Sequence, residues 1–155
     1  MSGAGRRILH CAVVSSIGNI MPKPMHEIAL AIVFHGDQWL VAKRRHDAHL
    51  GDLWEFPGGK CLPQETPTQA ALRELYEECA VRARPLHVLE AVTWEYADRI
   101  VRLTPVIACW EAGQPQSLGS TTPRWVDAAE LQRLEMPPAN AAIIQAALDW
   151  RSRHP

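Results

Sequence analysis

Residues 66–79 constrain this chain more than any other stretch. Thr66 is followed by Pro67 and, three residues on, by Gln69. A threonine cap, a proline at the first helical position and a glutamine that reaches back together start a helix. The spacing predicts a helix running to about Cys79. Ala71, Leu72, Leu75 and Cys79 recur at core spacing on one side. Glu74, Glu77 and Glu78 stand at i, i+3 and i+4, so they share another side. Any fold that holds this helix must bury the first stripe and leave three carboxylates together. Like charges at that spacing repel by a few tenths of a kcal/mol per pair. A divalent cation removes that penalty, and carboxylate oxygens without His or Cys suit a hard ion, Mg²⁺ or Mn²⁺. Taken alone, the same pattern also reads as a solvated acidic face with Arg73 and Arg82 as counter-charges.

The rest of the chain mixes strands and helices without strict alternation. Ile28 to Phe34 reads as a buried strand, His35-Gly36-Asp37 as a turn, and Gln38 to Lys43 as the returning strand. Arg44 to Glu55 reads as a polar loop, and Phe56-Pro57-Gly58-Gly59 as a break in any regular element. Beyond the helix, two strands are expected near Leu86 to Glu95 and Arg99 to Trp110, joined by a turn at Ala97-Asp98. Glu111 to Thr122 reads as a loop and Arg124 to Val126 as a brief strand. Asp127 with Glu130 opens a short helix, and Asn140 is positioned to cap a last one running to about Arg151. The class is α+β.

The length of 155 residues suffices for one domain with a real core. Residues 1–25 read as a poorly ordered N-terminal tail, set off by Pro22 and Pro24, and residues 26–155 as a single domain. A net charge of −1 gives no global attraction for nucleic acid or an acidic membrane. No apolar run reaches the roughly 18 residues of a spanning helix. Cys11, Cys61, Cys79 and Cys109 fit no zinc spacing and read as thiols of a cytoplasmic protein.

The helix sits in a longer pattern: Gly59-x5-Glu65-x7-Arg73-Glu74-Leu75-x-Glu77-Glu78-x-Ala80-Val81. This resembles the box of the Nudix hydrolases, with agreement at eight of nine defined positions. The exception is Ala80, where the family has Gly. Trp54 to Lys60 (WEFPGGK), Asp47 to His49, Asp98-Arg99 and Pro137 to Asn140 (PPAN) further resemble the MutT-type members, which hydrolyse 8-oxo-dGTP. The likeness runs from about Ile28 to Leu148. It implies a Nudix-like α/β/α sandwich with a mixed central sheet.

By that resemblance the chain would split a nucleoside triphosphate, an oxidised purine nucleotide above all, into monophosphate and pyrophosphate with Mg²⁺, or Mn²⁺ in its place. Gly58 would offer a backbone carbonyl to metal, and Glu74, Glu77 and Glu78 their carboxylates. Arg73 would orient the glutamates, and Glu65 would support the loop–helix geometry. Arg44 would contact phosphate. The Phe56 backbone and the Asn140 side chain would read the base edge, with Tyr96 and Arg99 near the nucleotide. The partner would be a small nucleotide, with no nucleic acid and no membrane, and the chain would be a monomer or homodimer. Plainer readings stand beside these: Asn140 as a helix cap, Arg44 as a solvated cation, Tyr96 as a packed hairpin aromatic.

MutT-type enzymes carry a further Glu in the loop after the second long strand. Here Ala112 to Thr122 holds no acid, and the aligned place is near Gly119. The general base is therefore left open by the sequence. Two rival functions stand alongside: the same chemistry on CTP or a modified pyrimidine triphosphate, and a Nudix-like module that binds a nucleotide or partner without catalysis.

Overall fold

Strand β2 (Met25–His35) organises the structure because both of its faces are buried along 29–34. Ala29, Ala31 and Val33 point to one layer, and Leu30, Ile32 and Phe34 to the other. A strand buried on both faces needs cover on both. Helix α1 (Pro67–Cys79) covers the first face through Ala70, Ala71, Leu75 and Cys79. Helix α3 (Asn140–Arg153) covers the second through Ile143, Ile144, Ala147 and Trp150. The result is the expected α/β/α sandwich.

The computed structural model describes residues 6–7 and 22–155. Besides β2, its strands are β1 (Arg6–Arg7), β3 (Gln38–Arg44), β4 (Trp54–Glu55), β5 (Gly58–Lys60), β6 (Arg82–Val88), β7 (Val92–Glu95), β8 (Ile100–Ala112) and β9 (Thr121–Asp127). The short helix α2 (Ala128–Leu131) follows β9. The sheet runs β1-β7-β8-β2-β3-β4, with β5 on β2, β6 on β8 and β9 on β3. Only β2 and β8 pair in parallel among the described strands, so the sheet is mixed. The tail expected at 1–25 falls largely outside the described residues, and its end lies one residue inside β2. No described helix is long and apolar enough to cross a membrane.

Several expectations hold. Thr66 Oγ1 accepts from the Gln69 amide at 3.1 Å, and the Gln69 side chain accepts from the Thr66 amide at 3.0 Å, completing the capping box. Asp127 caps α2 by accepting from the Glu130 amide at 2.8 Å. Ala80 ends α1 at φ 58° and ψ 27°, the left-handed conformation.

Others are corrected. Arg44 to Glu55 is not all loop: Arg44 ends β3, and Trp54–Glu55 pair with it as β4. Gly58-Gly59 does not break the sheet but pairs with β2 as β5. A Cβ on Gly58 would lie 2.2 Å from the Ala29 carbonyl oxygen, so only glycine lets the two backbones approach. The strand expected over 86–95 is two strands, β6 and β7, on different stretches of β8. Asn140 caps nothing: Ala139 holds the N-cap position of α3, with no side-chain cap bond.

Candidate active site

A cleft of about 400 Å³ opens where β2, β4, β5 and the end of α1 meet the β7–β8 turn and the start of α3. Of the ten residues expected to bind metal, orient its ligands or contact the nucleotide, seven line it: Arg44, Phe56, Gly58, Glu78, Tyr96, Arg99 and Asn140. Arg73, Glu74 and Glu77 do not.

Beside the cleft, Arg73 forms a closed clasp at the loop–helix junction. Its Nε and Nη2 grip both oxygens of Glu65 at 2.7 and 2.9 Å. Nη1 donates to Glu74 at 2.9 Å and Glu77 at 3.2 Å, and Nη2 also donates to the Lys60 carbonyl at 3.1 Å. All five guanidinium N–H groups are used. Glu65 Oε1 further accepts from the Leu62 amide at 2.9 Å, fastening the loop to the helix. The Arg73 hydrogen bonds, joined by the Leu62 amide, hold the Glu65 carboxyl down at about 2. Glu65 in turn raises Arg73 above its ordinary value.

The cleft side is different. Glu78 is pushed up to about 8, chiefly by burial and then by the like charges of Glu74 and Glu55. The Gly58 amide works the other way by bonding the carboxylate. Glu55 is likewise raised by burial, opposed by Arg44, whose Nε lies 3.5 Å from Glu55 Oε2. Gly59 makes room for this corner: a Cβ there would fall 2.6 Å from the Glu74 carboxyl. Among the described residues, no three His, Cys, Asp or Glu side chains are gathered for a metal ion. Glu74 and Glu77 bond to Arg73, while Glu78 stands in the cleft.

The far wall carries groups suited to a planar ligand. Tyr96 is held at the hairpin turn by the hydrogen bond its backbone amide donates to the Arg99 carbonyl, 2.7 Å. The Arg99 guanidinium lies 5.3 Å from the Tyr96 ring centre, and His49 meets that ring edge-on at 6.4 Å. Burial raises the Tyr96 hydroxyl. Tyr96 is thus both packed and cleft-lining. Asn140 is 5 % exposed, and its Nδ2 donates to the Pro137 carbonyl at 3.3 Å, which fixes the amide at the cleft floor.

Sequence reasoning missed Glu55, His26 and Lys60 as cleft residues. For Glu55 a signal existed, a lone acid between Trp54 and Phe56. Lys60 ended the Trp54 to Lys60 stretch already singled out, whereas for His26, on β2, no signal existed.

The family model described as NUDIX domain matches residues 28–146. The chain is 32 % identical over 120 residues to an 8-oxo-dGTP diphosphatase of Escherichia coli (strain K12), covering 76 % of this chain and 92 % of that protein. It is 28 % identical over 135 residues to a CTP pyrophosphohydrolase of the same strain, covering 84 % and 97 %. The solution structure of the E. coli ORF135 protein superposes with a TM-score of 0.73 at 27 % identity, covering 89 % of this chain and 99 % of that one.

Proposed function

This chain belongs to the NUDIX domain family and is a Nudix hydrolase, and from that premise we propose that it is a Mg²⁺-dependent pyrophosphohydrolase of 8-oxo-dGTP or a related oxidised purine nucleotide. The observation that carries this reading is one cleft in which Glu78, Arg44 and Asn140 meet. Family members generally need a divalent metal. The donor set here, carboxylates and the Gly58 carbonyl, suits a hard cation. A half-buried Glu78 pressed by two like charges is an electrostatic reason to take one up. Glu74, Glu77 and Glu78 with Gly58 would hold it, and when bound it supplies charge neutralisation at phosphate and activation of water.

The chain's own residues do the rest. Arg73 keeps the glutamates oriented through its full set of hydrogen bonds. Arg44 at the end of β3 steadies phosphate charge. Phe56 packs its side chain into the core and lines the cleft, so it would meet the base through its backbone. Asn140 both donates and accepts, which suits an oxidised guanine edge. Tyr96 and Arg99 flank the nucleotide. The substrate is a free nucleotide in the cytoplasm, not a nucleic acid.

A second reading, CTP or a modified pyrimidine triphosphate, is favoured by the similarity to the CTP pyrophosphohydrolase. Measuring kcat/KM over 8-oxo-dGTP, dGTP, CTP and an oxidised pyrimidine triphosphate separates the two. We expect 8-oxo-dGTP to lead. A clear preference for CTP would replace the first reading with the second.

A further inference from the structure

Of the described residues that line the cleft, only Glu55 and Glu78 carry carboxylates. They come from different elements. Glu78 belongs to α1. Glu55 belongs to β4, where pairing with Ala42 of β3 sets its facing. Arg44, two residues along β3, shares that facing. Its Nε stands 3.5 Å from Glu55 Oε2, an ion pair too long for a strong hydrogen bond. The Glu55 side chain is 27 % exposed and its charge bears on Glu78. A carboxylate thus faces the cleft with lone pairs to spare.

Two further features mark this corner as built for polar occupants. Thr121 of β9 stands opposite Arg44, and its hydroxyl, 7 % exposed as a residue, has no hydrogen-bond partner. The loop before it is strapped to the end of α1, with the Gln116 amide on the Cys79 carbonyl at 2.9 Å and the Leu118 amide on the Glu78 carbonyl at 3.0 Å. That loop brings Gly119 against Glu78 but brings no acid.

We propose that Glu55 is a catalytic residue, the carboxylate that takes the proton of the attacking water. The proposal rests on the pyrophosphohydrolase reading above. The water oxygen bonds to phosphorus as the bridging P–O bond between the α and β phosphates breaks. The leaving group departs with that bond's electron pair. One water proton passes to Glu55, which returns it to solvent after product release. Glu78, engaged with the cation in that reading, is the poorer acceptor. The rival role for Glu55 is to position Arg44 on phosphate.

The two roles differ in what they move. Loss of a proton acceptor lowers turnover by about 100-fold or more. Loss of a positioning partner weakens substrate binding instead. Glu55→Gln is therefore assayed for kcat and KM on 8-oxo-dGTP with Mg²⁺, and for affinity toward a non-hydrolysable α,β-methylene triphosphate by calorimetry. We expect kcat to fall by about 100-fold with KM and analogue affinity within about twofold. In that background, recovery of turnover by Gly119→Glu supports the proposal, because a side chain at 119 enters beside Glu78, 3.5 Å from its Cγ, without a clash. A raised KM at unchanged kcat, or unchanged kinetics altogether, overturns it. Should Glu55→Gln lower the Tm, Glu55→Asp and Glu55→Asn are compared at matched stability, and equal turnover in the two overturns it as well. A wild-type chain that turns over no nucleoside triphosphate would sink the pyrophosphohydrolase reading itself.

Discussion

Glu65 stands just before α1 and Glu78 in its last turn, and their carboxyls move in opposite directions. Arg73 holds Glu65 down at about 2, while burial beside like charges drives Glu78 up to about 8. The first belongs to a closed clasp in which every donor of one arginine is matched. The second belongs to an open cleft where burial and two neighbouring carboxyls oppose its ionisation. The same residue type is pulled down by an arginine in one place and pushed up by burial in the other. Sequence spacing alone does not separate them, since neighbouring cations and burial decide.

The largest expected effect falls on two of the carboxylates that would hold the cation, Glu78 in the cleft and Glu77 on the Arg73 clasp. Glu78→Gln and Glu77→Gln should each lower kcat by more than about 100-fold, beyond the loss seen when a mere supporting group of a metal site is removed. Circular dichroism and Tm should stay those of the wild type. Glu65→Gln should do the reverse, lowering Tm first. If Glu78→Gln instead unfolded the chain and kept its turnover per folded molecule, the contrast between the two sides would fail.

Selectivity comes next. Asn140→Ala should reduce kcat/KM for 8-oxo-dGTP by about tenfold more than for dGTP, two hydrogen bonds at one amide being worth about 0.5–1.5 kcal/mol each. The cap explanation is gone, because Ala139 holds that position. Equal losses on both nucleotides would take base reading away from Asn140.

The pH response should separate the sides without any mutation. Glu78 is raised from 4.5 to about 8, so its contribution to stability is full below pH 4.5 and is lost as pH climbs toward 8. Glu65 is lowered from 4.5 to about 2, so its contribution is full above pH 4.5 and is lost as pH falls toward 2. A cation binds the ionised form and should oppose only the first loss. Scanning calorimetry should therefore show Mg²⁺ raising Tm more at pH 8 than at pH 5. An equal shift at both would detach the metal from Glu78.

The smallest effect concerns the helix end. Ala80 occupies the left-handed conformation at φ 58°, which costs a non-glycine residue about 1 kcal/mol. Ala80→Gly should raise Tm by about 2–4 °C in a chain of this size and leave kcat alone. A fall in Tm would mean that Ala80 packs where no strain argument applies.

These sides were not equally legible in the sequence. The helix from Thr66 to Cys79 carried its cap, its core stripe and its acids within fourteen residues, so local rules read it. Ala80 at the left-handed end was legible too. The wall opposite was not, because β4 and β5 exist only through pairing with β3 and β2, far away in sequence. Gly58 and Gly59 carry no strand propensity. They belong there because Ala29 and the Glu74 carboxyl crowd their positions. Glu55 was passed over for the same reason: its facing follows from Ala42, not from its neighbours. Asn140 was expected at the site and lines the cleft, but the cap reading failed, because Ala139 holds the cap position and the Asn140 donor turns to Pro137.

On the proposed reading, the cleft beside Glu78 breaks the bond between the α and β phosphates with help from a divalent cation. The purified chain incubated with 8-oxo-dGTP and Mg²⁺, with products separated by ion-exchange chromatography, tests it directly. The account predicts equal amounts of 8-oxo-dGMP and pyrophosphate, none in the presence of a chelator, and recovery on adding Mg²⁺ back. Diphosphate with inorganic phosphate as products, or undiminished hydrolysis in metal-free buffer, would contradict it.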